Sequence, residues 1–120
     1  MYKPHHLLAA AALVMAPGLA HAHARLRSAE PPVGGTVDRA PTQVEITFSE
    51  AVEPRFSTIV VTDSSGKQVD RKDLHVPSSG AHHLAVGLGP LSPGEYRVEW
   101  HATSVDTHKT EGIYSFTVTP

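Results

Sequence analysis

Apolar and polar side chains alternate through several short stretches of this chain, and almost nothing after Ala22 has helical spacing. Val44-Glu45-Ile46-Thr47-Phe48 puts Val44, Ile46 and Phe48 on one face, the period of a half-buried strand. The same parity carries Glu50 onto that face at the strand's end. Ile59-Val60-Val61-Thr62 is a β-branched run that stops at Asp63-Ser64-Ser65-Gly66, a turn by composition. Leu84, Val86 and Leu88 alternate in a further strand. Ser92-Pro93-Gly94 then turns the chain into residues 95–100, where Tyr96, Val98 and Trp100 face the core and Arg97 and Glu99 face out, with His101 continuing the outward parity. The last strand, residues 113–118, places Tyr114, Phe116 and Val118 on one side.

Proline and glycine punctuate the chain at short intervals, from Pro31-Pro32 and Gly34-Gly35 to Gly89-Pro90 and Pro93-Gly94. That spacing suits short strands joined by turns. About seven strands are expected, in a small all-β, antiparallel Greek-key sandwich or barrel of the immunoglobulin-like kind. Trp100, Tyr96 and Phe116 are its expected core aromatics.

Residues 1–22 have a different character. Lys3 supplies a positive charge, an apolar stretch runs over residues 7–19, and Ala20-His21-Ala22 fits a small-x-small cleavage pattern. The apolar run is shorter than the roughly 20 residues that span a bilayer. Residues 1–22 are therefore expected to be a signal peptide cut after Ala22, with residues 23–120 forming one exported domain that does not span a membrane. Cleavage there makes His23 the first residue of the mature chain.

Composition narrows the chemistry. Charged residues make up 18% and hydrophobic residues 40% of the chain, a globular profile. The formal net charge of -2 offers no basic field for nucleic acid. There is no cysteine, so disulfides and thiolate metal sites are excluded. Both methionines, Met1 and Met15, lie in the leader, which leaves no soft ligand for Cu(I) in the mature chain. Histidine and carboxylate remain as strong ligands, and nine histidines is a high count for 120 residues.

A histidine at the mature N-terminus offers both its α-amine and its ring Nδ1 to one metal ion. Asp106 and His108, in Ser104-Val105-Asp106-Thr107-His108, offer an oxygen and a second imidazole. Residues i and i+2 of a strand share a face, so this pair is expected to converge. Three nitrogens and one oxygen suit a tetragonal Cu(II) ion, with zinc as the competing ion for the same atoms. The remaining histidines are assigned no role: His82-His83 as a solvated loop pair, His75 as exposed, and His101 facing outward. Ser104 is expected to be a turn or hydrogen-bonding group rather than a nucleophile.

The motifs His23-Ala24-Arg25-Leu26, Ser28-Ala29-Glu30-Pro31-Pro32-Val33-Gly34, Ile46-Thr47-Phe48-Ser49-Glu50 and Leu91-Ser92-Pro93-Gly94-Glu95-Tyr96 run through the mature chain. With Trp100, the Ser104-to-His108 stretch, Gly112 and Phe116, they make the sequence resemble the periplasmic copper-resistance protein CopC family. The resemblance covers essentially all of residues 23–120. It implies a seven-stranded, barrel-like sandwich binding Cu(II) through the N-terminal histidine, an aspartate and a second histidine, roles that fall on His23, Asp106 and His108. Glu50 matches a carboxylate found close to the copper in the family. Also implied are a periplasmic location and a CopD-type inner-membrane protein as partner; a monomer with one Cu(II) per mature chain is expected.

The function expected is a Cu(II) carrier or buffer in copper homeostasis and resistance, not an enzyme. The alternative is a copper monooxygenase built on a histidine brace. Against it stand the Asp106 carboxylate, which favours Cu(II) over cycling through Cu(I), and the lack of an aromatic stripe for a glycan. A third reading, an adhesion-type sandwich, needs no metal.

Overall fold

Each alternating stretch becomes a strand whose apolar side turns inward, in a computed structural model that describes residues 23–120. The strands are β1 (Leu26–Glu30), β2 (Thr36–Val37), β3 (Gln43–Phe48), β4 (Thr58–Thr62), β5 (His83–Gly87), β6 (Gly94–Thr103) and β7 (Lys109–Val118). They form two sheets, one in the order β1-β3-β5 and one in the order β2-β7-β6-β4. From β1 to β6 the chain changes sheet at every step, as Greek-key sandwiches do. Only β6 and β7 follow one another within a sheet. The signal peptide expected over residues 1–22 lies outside the described residues. Among the described residues no helix is long and apolar enough to cross a membrane.

The core is made by the faces that alternation indicated. Val44, Ile46, Phe48, Leu84 and Val86 from one sheet meet Ile59, Val61, Tyr96, Val98, Trp100, Tyr114, Phe116 and Val118 from the other. Trp100 meets Phe48 edge-on across the sandwich at 5.3 Å between centroids, and Tyr96 stacks on Phe116 at 5.4 Å. The Tyr96 hydroxyl donates to the Ser92 carbonyl at 2.6 Å, which pins the turn leading into β6. Gly112 stands opposite Trp100, where a Cβ would lie 2.7 Å from the indole; only a residue without a side chain lets the ring lie flat there.

Three details differ from the sequence expectation. β1 and β2 show no clear alternation, and their partners lie far away in sequence: β1 pairs with β3, and β2 with β7. The β2–β7 pairing is parallel, so the sandwich is not wholly antiparallel. β6 and β7 also extend well beyond their apolar segments, pairing as far as Thr103 with Lys109. That extension turns the stretch between them into a tight hairpin end.

Candidate metal centre

The segment from His23, the end of β3 and the β6–β7 hairpin end meet at one end of the sandwich, stitched by backbone hydrogen bonds. Ala24 is fully buried and anchors the first of the described residues. The Ser49 amide donates to the Arg25 carbonyl at 2.8 Å, and the Ser49 hydroxyl accepts from the Arg25 amide at 2.9 Å. The same hydroxyl reaches the His23 carbonyl at 3.4 Å. A few residues on, Val52 bridges to Ser104, Glu53 N–H donates to the Thr103 carbonyl, and Val105 N–H donates to the Ala51 carbonyl. The segment from Ser49 to Glu53 is thus a strap tying His23 to the β6–β7 turn.

Within that turn Ser104 is the hub. Its amide donates to the His108 carbonyl at 2.9 Å, and its carbonyl accepts from the Thr107 amide at 2.8 Å. Its buried hydroxyl accepts from the His108 amide at 3.2 Å and donates to Asp106 Oδ1. Thr107 lies at φ +74°, the left-handed region, where a residue with a Cβ is disfavoured by about 1–2 kcal/mol. Such strain at a β-branched residue marks a turn whose shape is imposed by its surroundings.

The turn, and not strand alternation, is what brings Asp106 to His108. Asp106 lies in the hairpin loop, outside both strands, so the i, i+2 argument does not apply to it. The two side chains meet nonetheless, with Asp106 Oδ2 3.4 Å from His108 Nδ1. The His23 ring lies against the His108 ring, at 4.5 Å between centroids and 38° between planes. The Ser104 hydroxyl bonded to Asp106 holds that carboxyl below the usual carboxylate range, and the neighbouring His108 adds to the effect. Among the described residues no three His, Asp or Glu side chains are gathered as a closed metal cage. His23, His108 and Asp106 instead form two adjoining contacts that share His108.

Glu50 is half-buried and lies beyond the end of β3, in the strap. With His23, Arg25, Leu26, Arg27 and Ser49 it lines an open depression of about 480 Å³. The donor chemistry fits a borderline divalent ion: two imidazoles and a carboxylate suit Cu(II) or Zn(II), and residues 23–120 contain no sulfur.

The other histidines lie elsewhere. His83 begins β5 and is half-buried, with Nδ1 3.1 Å from Glu45 Oε2 and 3.1 Å from the Thr47 hydroxyl. It is thus a sheet residue with partners, not half of a solvated loop pair; only His82 is exposed. His101 is exposed as expected, between Glu99 and Glu111. His75 is exposed and directs Nδ1 at the Asp73 carbonyl. Sequence reasoning missed the two roles of Ser49. A small hydroxyl residue just after a strand, opposite the segment that precedes β1, carries no periodic signal, and only its position beside Glu50 hints at it.

Comparison with known proteins agrees with this architecture. The CopC domain model matches residues 26–119. Copper resistance protein C of Pseudomonas syringae pv. tomato is 35% identical over 118 residues, covering 93% of this chain and 91% of that protein. Copper transport protein CutJ of Bacillus subtilis (strain 168) is 36% identical over 107 residues, 88% of this chain, which spans only 20% of CutJ's length. The crystal structure of CopC from Methylosinus trichosporium OB3b superposes with a TM-score of 0.76 at 34% identity, covering 82% of this chain and 95% of the other. With the family model covering nearly all of the described sandwich, the chain belongs to the CopC family of copper-resistance proteins.

Proposed function

We propose that this protein is a periplasmic Cu(II) carrier or buffer that holds one copper ion per processed chain. Its ligands are the α-amine and imidazole of His23, the Asp106 carboxylate and the His108 imidazole, with Glu50 close by. The observation that carries the reading is the meeting of the His23 and His108 rings, 4.5 Å apart, with Asp106 against His108. Membership of the copper-resistance family supports it.

In the full chain the His23 nitrogen is an amide to Ala22 and cannot ligate as an amine. Removal of residues 1–22 supplies the fourth donor. Ser104 and Ser49 then act as positioning residues: one sets Asp106 and His108, and the other holds the backbone of His23. With no cysteine or methionine after Met15, the site is for Cu(II) alone. The hard Asp106 oxygen favours holding Cu(II) over oxidative turnover, so a carrier fits better than a monooxygenase. A CopD-type inner-membrane protein is the recipient this reading expects, and the carrier works as a monomer.

The test is a competitive Cu(II) titration of protein exported and processed from the full chain, its N-terminus verified by mass. The expected result is one tightly held ion, with electron paramagnetic resonance showing nitrogen and oxygen coordination. Correctly processed protein that binds no copper would refute the reading.

A further inference from the structure

Three consecutive residues, Arg25, Leu26 and Arg27, line the depression beside His23. In an unbroken strand the middle one would point away from its neighbours. The register explains the exception. Leu26 pairs with Phe48 and Ser28 with Thr47, so Arg27 is an extra residue bulged out of β1. Bulges re-aim side chains, and this one brings Arg27 to the hollow that Arg25 already lines. Both arginines are exposed, and neither guanidinium has a hydrogen bond or ion pair among the described residues, although Glu50 shares the hollow.

Two cations without a partner among the described residues are an adverse setting for a bare divalent metal ion. Like charges repel, and the field over such a hollow attracts species of opposite net charge. The guanidinium fork matches a carboxylate in geometry as well as in charge. The hollow, about 480 Å³, also has the dimensions of a small-molecule site. From these observations we infer that Arg25 and Arg27 form an anion subsite that receives the carboxylates of a small copper(II) chelate. The substrate is then copper already bound by an acidic amino-acid or polycarboxylate ligand as an anionic chelate, and not the hydrated ion.

This inference rests on the copper reading above and names the form in which the metal arrives. The arginines hold the chelator's carboxylates while His23, Asp106 and His108 replace its donor atoms one at a time. Copper remains Cu(II) throughout and no electron moves. A protonated nitrogen donor gives its proton to solvent, and the chelator leaves as the free anion, or gives it to the departing chelator, which leaves in its protonated form.

The test is stopped-flow copper uptake by the processed protein, read by quenching of its single tryptophan, Trp100. Two sources are compared: the anionic nitrilotriacetate chelate and a cationic imidazole complex. In Arg25→Gln/Arg27→Gln, uptake from the anionic chelate should slow by about tenfold, the scale of electrostatic steering. Uptake from the cationic complex should be equal or faster. Arg25→Lys/Arg27→Lys, which keeps the charge but not the fork, should restore only part of the rate, and rising salt should shrink the difference. Unchanged rates, or equal slowing with both sources, would overturn the inference. So would an acidic peptide competing far better than citrate, because the pair would then serve a protein partner. Wild type that takes copper from neither source fails the copper reading itself, an outcome separable from the variant's.

Discussion

Removing the Ser104 hydroxyl should loosen the whole hairpin end while leaving every proposed copper ligand in place. Ser104 is 1% exposed, and its oxygen accepts from the His108 amide at 3.2 Å while donating to Asp106. Ser104→Ala leaves the His108 amide without that acceptor and Asp106 without its nearest donor. A buried hydrogen bond contributes about 0.5–1.5 kcal/mol net, so the metal-free protein should lose about 1 kcal/mol from the amide bond. For a domain of this size that is a fall in Tm of roughly 4–8 °C. Partners that orient metal ligands typically change affinity by about 10–100-fold, and Cu(II) affinity should drop within that range. The pH dependence gives an independent reading. Asp106 is held below its usual range mainly by Ser104, so its contribution is present above the unfolded-state value and lost as pH falls through the lowered folded value. Ser104→Ala should shrink that acid-side loss, so the gap between metal-free variant and wild type should narrow as pH falls below the ordinary carboxylate range, without closing, because the lost amide bond does not titrate. The assays are thermal melts at neutral and acid pH and competitive copper titration. Unchanged Tm and unchanged affinity would show that Ser104 does not organise the site.

Adding one alanine before His23 keeps every side chain but moves the amine away, whereas Asp106→Ala removes one oxygen donor. The extension should weaken copper binding more, because the amine and imidazole of one residue close a chelate ring with little further ordering; equal affinity of extended and wild-type protein would remove the amine from the ligand set. Copper affinity should fall on acidification, as protons compete for the amine and imidazole nitrogens, and titrations at two pH values check this. Gly112→Ala would place a Cβ 2.7–2.9 Å from three atoms of the Trp100 indole. Overpacking of that kind costs about 1–3 kcal/mol, so Tm should fall and the Trp100 fluorescence should change; a variant that melts like wild type would show that the ring can yield.

Much of the framework was legible because alternation is a local property. Val44, Ile46 and Phe48, then Tyr96, Val98 and Trp100, then Tyr114, Phe116 and Val118, are core residues in the structure as their period required. β1 and β2 escaped detection because they are short and their existence depends on distant partners, one antiparallel and one parallel. The same division runs through the site.

By itself the sequence determined which atoms are available: imidazoles and carboxylates, and no sulfur after Met15. It placed Asp106 and His108 two residues apart but gave the wrong reason for their meeting. Their approach depends on a hairpin turn held by Ser104 and on a left-handed Thr107. Only the tertiary structure decided that His23 lies against His108, because that contact passes through the Ser49–Glu53 strap. Periodicity reports which way a side chain faces within its own strand. Where two distant segments meet is set by hydrogen bonds between them, and no stretch of sequence carries those alone.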